Sequence, residues 1–195
     1  MNIRRVCVAA AAVFSFSAGA EGVREPVSLV QADESAASLA KVCPAVPLSL
    51  TAINASSLEP ARVAWNAGSN SGAWHYLDTI NAYITPQCPA TPVTIQAVLA
   101  KVADLNQGLP FPEDGIFTNR AGLSQSIFLS SNYYGNGLAV LAAIDAYAGG
   151  GEIQAWIATQ EVPCHNCHEF YQYAVLYYPA SRKVVVLQGY TGYDS

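Results

Sequence analysis

The stretch Val162-Pro163-Cys164-His165-Asn166-Cys167-His168-Glu169 concentrates the reactive side chains of this 195-residue chain. It holds two of the three histidines and two of the five cysteines. Cys164-x-x-Cys167-His168 is the spacing that attaches a c-type haem, with two thioethers and an axial imidazole. A haem also needs an apolar wrap and usually a second axial ligand. The single methionine is Met1, and His75 is the one histidine outside the stretch. Cys164 and Cys167 also have the spacing of a redox dithiol, in which a flanking histidine lowers the thiol pKa. Only 27 residues follow His168, too few for the elements that a thioredoxin-like domain still requires. Zinc on Cys164, Cys167 and His168 needs a fourth ligand, and His165, lying between the cysteines, is badly placed to supply it. The reading that asks least of the rest of the chain is a covalent strut. A Cys164–Cys167 disulfide then pins a loop, and the histidines are ordinary loop residues.

Pro163-Cys164-x-x-Cys167 also resembles the second half of the zinc deaminase signature. The resemblance covers about a third of the chain and implies a deaminase-like order of strands and helices. It further implies a His or Cys ligand and a proton-shuttling Glu at the start of the preceding helix. That helix reads Gly137-Leu138-Ala139-Val140-Leu141-Ala142-Ala143-Ile144, whose side chains neither bind zinc nor carry protons. The catalytic half of the pattern is therefore missing, and a toxin enzyme with a divergent deaminase-like fold stands only as a further alternative.

Other constellations are sparse. The chain has no nucleophile elbow, phosphate-binding loop, H-E-x-x-H or EF-hand loop. Its adjacent carboxylates are Asp33-Glu34 and Glu113-Asp114, both in segments that read as loops. Tyrosine is the surplus: nine of eleven lie beyond residue 130. Strand propensity explains many of them. Tyr133 and Tyr134, in a Gly-rich loop, and Tyr193, near the C-terminus, are explained least well. They are candidate binding residues, since tyrosine offers a large contact area at low entropy cost.

Several elements must position these groups. Arg4-Arg5, the apolar run Val6–Phe16 and the small residues Ser17-Ala18-Gly19-Ala20 read as a signal peptide, residues 1–20, cleaved near Ala20. The run is too short to span a bilayer, so no transmembrane segment is expected after cleavage. Residues 21–35 read as a flexible leader, and 36–195 as a single disulfide-stabilised α+β domain. Loss of Arg4 and Arg5 takes the formal net charge from −5 to −7. Without a basic patch, nucleic acid is not an expected partner. Export leaves Cys43, Cys88, Cys164 and Cys167, an even set that implies two bridges. The expected pairing is Cys43–Cys88 and Cys164–Cys167.

Periodicity predicts helices over Glu34–Val42, Ala73–Ile84, Thr91–Gly108 (Thr91 as cap) and Gly137–Ala148. It predicts strands over Gly115–Leu123, Ser126–Ser131, Ile153–Val162, Phe170–Tyr178 and Val184–Tyr190, the last two as a hairpin. Residues 44–60, with three prolines, read as loop. The expected architecture is a helical N-terminal half packed on a small, mainly antiparallel sheet ending in the C-terminal hairpin. With few catalytic bases, an export signal and a tyrosine surplus, the chain reads as a periplasmic or secreted binding protein. It would act as an inhibitor, immunity or accessory factor, gripping a protein partner through Tyr-rich loops without a resident cofactor. A haem or thiol-redox protein is the alternative.

Overall fold

Strict alternation on three successive strands builds the centre of the molecule. The computed structural model describes residues 43–67, 73–105, 109–110, 112–126 and 137–194. The expected signal peptide, leader and Glu34–Val42 helix lie outside them, as do Tyr133, Tyr134 and the segment 127–131. Six strands form one sheet: β1 (Thr51–Ile53), β2 (Ala73–Ile84), β3 (Gly115–Asn119), β4 (Gln154–Val162), β5 (Cys167–Tyr178) and β6 (Lys183–Asp194). Their order is β1-β2-β6-β5-β4-β3, and every neighbouring pair is antiparallel. Four α-helices accompany it among the described residues: α1 (Glu59–Asn66), α2 (Ile95–Leu105), α3 (Arg120–Ser126) and α4 (Gly137–Ala148). The class is mixed α+β.

Successive side chains on a strand point to opposite faces, and here both faces are buried at the centre. Ala155, Ile157, Ala174, Leu176, Tyr178, Val185 and Leu187 join Leu58, Ala61, Trp65, Val140, Leu141 and Ile144 in one core. Trp156, Ala158, Tyr173, Val175, Tyr177, Val184 and Val186 join Ile95, Val98, Leu99 and Val102 in the other. The sheet is therefore filled between α1 and α4 on one face and α2 on the other. Each buried Val or Leu contributes roughly 1.5–3 kcal/mol, which makes this centre the main source of stability.

The β4, β5, β6 unit and its connecting hairpin form as the alternation predicts, and α4 ends at Gly149-Gly150-Gly151, all in the left-handed region. Helix α2 keeps its predicted apolar stripe but starts later. Thr94, not Thr91, caps it, its Oγ1 accepting the Ala97 N–H at 3.2 Å.

Segment 73–84 is a strand, not a helix, and a β-bulge explains the misleading period. Leu77 stands opposite Gly189 and Thr79 opposite Gln188, so Asp78 is an extra residue. A bulge shifts the alternation by one. It thereby puts Leu77, Ile80 and Ala82 on the same core face, a three-residue step that imitates a helix. Helix α1 satisfies the backbone that the bulge leaves over. Asn66 Oδ1 accepts the Leu77 N–H at 2.9 Å, and the Arg62 guanidinium donates to the carbonyls of Leu77 and Asp78.

Two more segments differ from the sequence reading. The strand expected over Gly115–Leu123 stops at Asn119, whose Oδ1 accepts the N–H groups of Ala121 and Gly122 at 3.1 and 3.2 Å and starts α3. The expected second strand begins at Ser126, which instead closes α3. The stretch read as loop over 44–60 contains β1 and the beginning of α1. Pro60 there occupies the first turn, where the missing N–H costs nothing. The N-terminal half thus supplies two strands as well as helices, and the sheet is larger than expected.

Candidate binding site

The Cys164–Cys167 pair closes the turn of the β4–β5 hairpin. Val162 and Glu169 form the last pair of the ladder, and Asn166 takes the left-handed conformation, φ 58°, that lets the chain reverse. The two Cα atoms are 5.6 Å apart and the sulfurs lie at disulfide distance. Cys43 and Cys88 form the other such pair, with Cα atoms 6.0 Å apart. Mutual hydrogen bonds of Val46 with Cys88 and Ala90 extend that tie. Both pairs match the pairing expected from the sequence.

His168 Nδ1 is 3.6 Å from Glu161 Oε1, and its ring stacks with Phe170 at 6.5 Å between centroids. The metal-donor atoms that gather here are those of Cys164, Cys167 and Glu169, within 4.8 Å of one another. His165 and His168 are not in that group. Where the two sulfurs are joined, they offer neither a thiolate for zinc nor a thioether for haem. A metal would require them reduced, and three donors leave a tetrahedral site one short.

A second concentration of polar groups borders a cleft of about 840 Å³ lined by Asn119, Arg120, Leu141, Asp145 and Ile153 among others. Arg120 makes a two-pronged bond to Asp145, at 2.5 and 3.0 Å, and donates to the Gly151 carbonyl. The Tyr178 hydroxyl donates to the same carboxylate at 3.0 Å. The hydrogen bond to Asp145 raises the Arg120 pKa. Burial, then the Asp145 charge, pushes the Tyr178 phenol well above its ordinary range. Guanidinium, carboxylate and phenol thus occupy one another. They clamp α3, α4 and β5 together, and none is poised as an acid, base or nucleophile. Asp145 is the one residue of metal-ligand type on α4, and Arg120 and Tyr178 occupy it.

The third arrangement is a row of tyrosines across the sheet. Tyr76 on β2 stands opposite Tyr190 on β6, which stands opposite Tyr171 on β5, which stands opposite Gln160 on β4. Residues directly opposite share a face, here the face that carries α2. At roughly 4.8 Å per strand the three tyrosines span about 10 Å. Tyr171 and Tyr190 meet edge to face at 5.4 Å, and Tyr171 tilts against Tyr173 at 6.3 Å. Tyr173 is buried at the margin of the α2 core. Burial, with smaller effects from Tyr171 and the Asp78 carboxylate, raises its pKa. Tyr171 and Tyr190 are half-buried, whereas Tyr76 is 54 % exposed. Among the described residues α2 is the helix packed on this face, and Tyr171 is the outermost tyrosine that touches its core. In the next row Glu169 lies between Gly192 and Val162, and beyond it comes the Cys164–Cys167 turn. The expected strut therefore sits at the rim of this row.

Of the tyrosines singled out from sequence, Tyr193 is on β6 with its backbone opposite His168, and Tyr133 and Tyr134 are outside the described residues. Tyr76, Tyr171 and Tyr190 were not singled out. The alternation of Tyr171 and Tyr173 within a strand was the available signal. Tyr76 was hidden by reading its segment as a helix. Comparison with protein families, with curated proteins and with solved structures gives no match for this chain.

Proposed function

We propose that this chain is an exported, disulfide-stabilised binding protein that holds a protein partner against the tyrosine-bearing end of its sheet. The observation that carries the reading is the Tyr76–Tyr190–Tyr171 row on the part of the sheet face beyond α2. Aromatic side chains with a polar tip are the residues that dominate protein–protein hot spots. Three from three strands, held by backbone ladders, are also preorganised, so little entropy is lost on docking. The sequence reading placed recognition in Tyr-rich loops; the sheet face offers a stiffer platform for the same chemistry. Two cysteine pairs at disulfide distance suit a periplasmic or secreted setting, to which the Arg-Arg start and small-residue run would direct the chain. Among the described residues no helix is long and apolar enough to cross a membrane.

The test compares wild-type mature protein with a Tyr76→Ser, Tyr190→Ser variant of equal thermal stability. Each is immobilised and exposed to extracellular and periplasmic extract of its source cells. The reading expects a discrete protein retained by the wild type and lost by the variant. Equal retention by both would remove it. The gathering of Cys164, Cys167 and Glu169 donors favours a metal- or redox-active hairpin as second reading. Intact mass of the mature chain before and after reduction separates the two: two bridges support the strut, while free thiols or a covalent adduct at Cys164 and Cys167 support the alternative.

A further inference from the structure

Resting on the docking role of the tyrosine face, we propose that its partner presents arginine or lysine side chains, which seat on Tyr76, Tyr171 and Tyr190 between Asp78 and Glu169. The face is aromatic and one-sided in charge. Strands β2, β4 and β5 contain no Lys or Arg, and β6 contains only Lys183. Lys183 lies at the far end of β6, opposite Tyr178 and Ile84, with its ammonium over the Tyr147 ring at 4.4 Å. The strands beside the row instead carry Asp78 and Glu169. Asp78 occupies the bulge two residues from Tyr76 and acts on Tyr173 across the face, and Glu169 lies two residues before Tyr171 on the same face. The nearest helical cations are engaged: Arg62 by the bulge carbonyls and Glu59, Lys101 by Asp104.

A phenol ring attracts a cation over its face, and carboxylates at the margin add a charged hydrogen-bond partner. A guanidinium fits better than an ammonium because it is flat and weakly hydrated, so it stacks while still donating. The formal net charge of −5 draws a basic surface in from a distance. An acidic or phosphorylated partner would meet Asp78 and Glu169, and Lys183, the one Lys or Arg on these strands, is far off over Tyr147.

Fluorescence anisotropy of the mature, disulfide-bonded protein can test this with labelled peptides of alternating Arg and Gly, Lys and Gly, and Glu and Gly, and with a labelled neutral chitin oligosaccharide. The Arg–Gly peptide should bind best, Lys–Gly several-fold less well and Glu–Gly not at all. Tyr76→Ser, which leaves charge unchanged, should weaken Arg–Gly binding about tenfold. Asp78→Asn with Glu169→Gln should weaken it and flatten its salt dependence. If the oligosaccharide or the Glu–Gly peptide binds better, and Tyr76→Ser abolishes that binding, the face stands and the basic partner falls. If Arg–Gly binds but ignores Tyr76→Ser and Tyr190→Ser, attraction is diffuse and both the inference and the docking face are overturned. Absence of binding by every probe overturns the basic partner.

Discussion

Strand β5 passes through two environments on one face. At its C-terminal end Val175 and Tyr177 lie beneath α2 with Trp156 and Val186, fully or almost fully buried. At its N-terminal end Tyr171 and Glu169 occupy the same phase of the strand but are only half-buried. Backbone geometry is the same in both; side-chain chemistry differs. Beneath α2 the face is filled by valine, tryptophan and buried tyrosine, and among the described residues it gives way beyond α2 to half-buried tyrosine and a carboxylate. An exposed valine at the open end would cost solubility and offer no directional contact, whereas a phenol tolerates water and binding alike. The contrast separates residues that hold the fold from the row proposed to meet a partner.

Substitutions at the two ends should differ accordingly. Trp156→Ala at the covered end, where the side chain is 0 % exposed, should destabilise by about 3–5 kcal/mol in urea unfolding. The cysteine pairs follow. The Cys43–Cys88 pair closes a separation of 45 residues, and Cys43→Ser with Cys88→Ser should cost about 4 kcal/mol. Cys164→Ser with Cys167→Ser, across a separation of 3 residues, should cost about 2 kcal/mol by the same loop-entropy reasoning. Because that turn lies at the rim of the tyrosine row, its loss should also weaken partner binding. Unchanged binding would show the row to be held by its ladders alone.

Alkaline pH gives a smaller and graded contrast. Burial raises the pKa of Tyr147, Tyr173 and Tyr178. A phenol whose folded pKa is raised contributes stability that is complete below its unfolded value, near 10. That contribution is lost as pH rises toward the folded value, because the unfolded chain ionises first. The urea midpoint should be flat up to about pH 9 and fall above it. A midpoint still flat at about pH 11 would show that these phenols are not held neutral by the fold. Smallest of all, Tyr76→Ser at the open end should change stability by no more than about 0.5 kcal/mol. A larger loss would mean that Tyr76 belongs to the structural half after all.

Sequence alone was informative wherever structure is local. The alternation in 153–162 and 170–190, the stripe Ile95–Val98–Leu99–Val102 and the Gly149–Gly151 stop each announce one element from its own residues. It failed where a short signal contradicted the period. The Asp78 bulge made a strand look helical, Pro60 at a first turn looked like a loop, and Asn119 capped a helix inside an apparent strand. The candidate site was the least legible part. Tyr76, Tyr190 and Tyr171 are far apart in sequence, and only the β2–β6–β5 register makes them neighbours. A tyrosine count gave the chemistry without the address.

The direct test is photocrosslinking in cells that export the chain, with a benzoyl-phenylalanine in place of Tyr76 or, for comparison, of Ile116 on the edge strand β3, which is 64 % exposed. The tyrosine-face account predicts a discrete protein adduct from position 76 and none of the same mass from position 116. Adducts equal at both positions, or present only at 116, would contradict it.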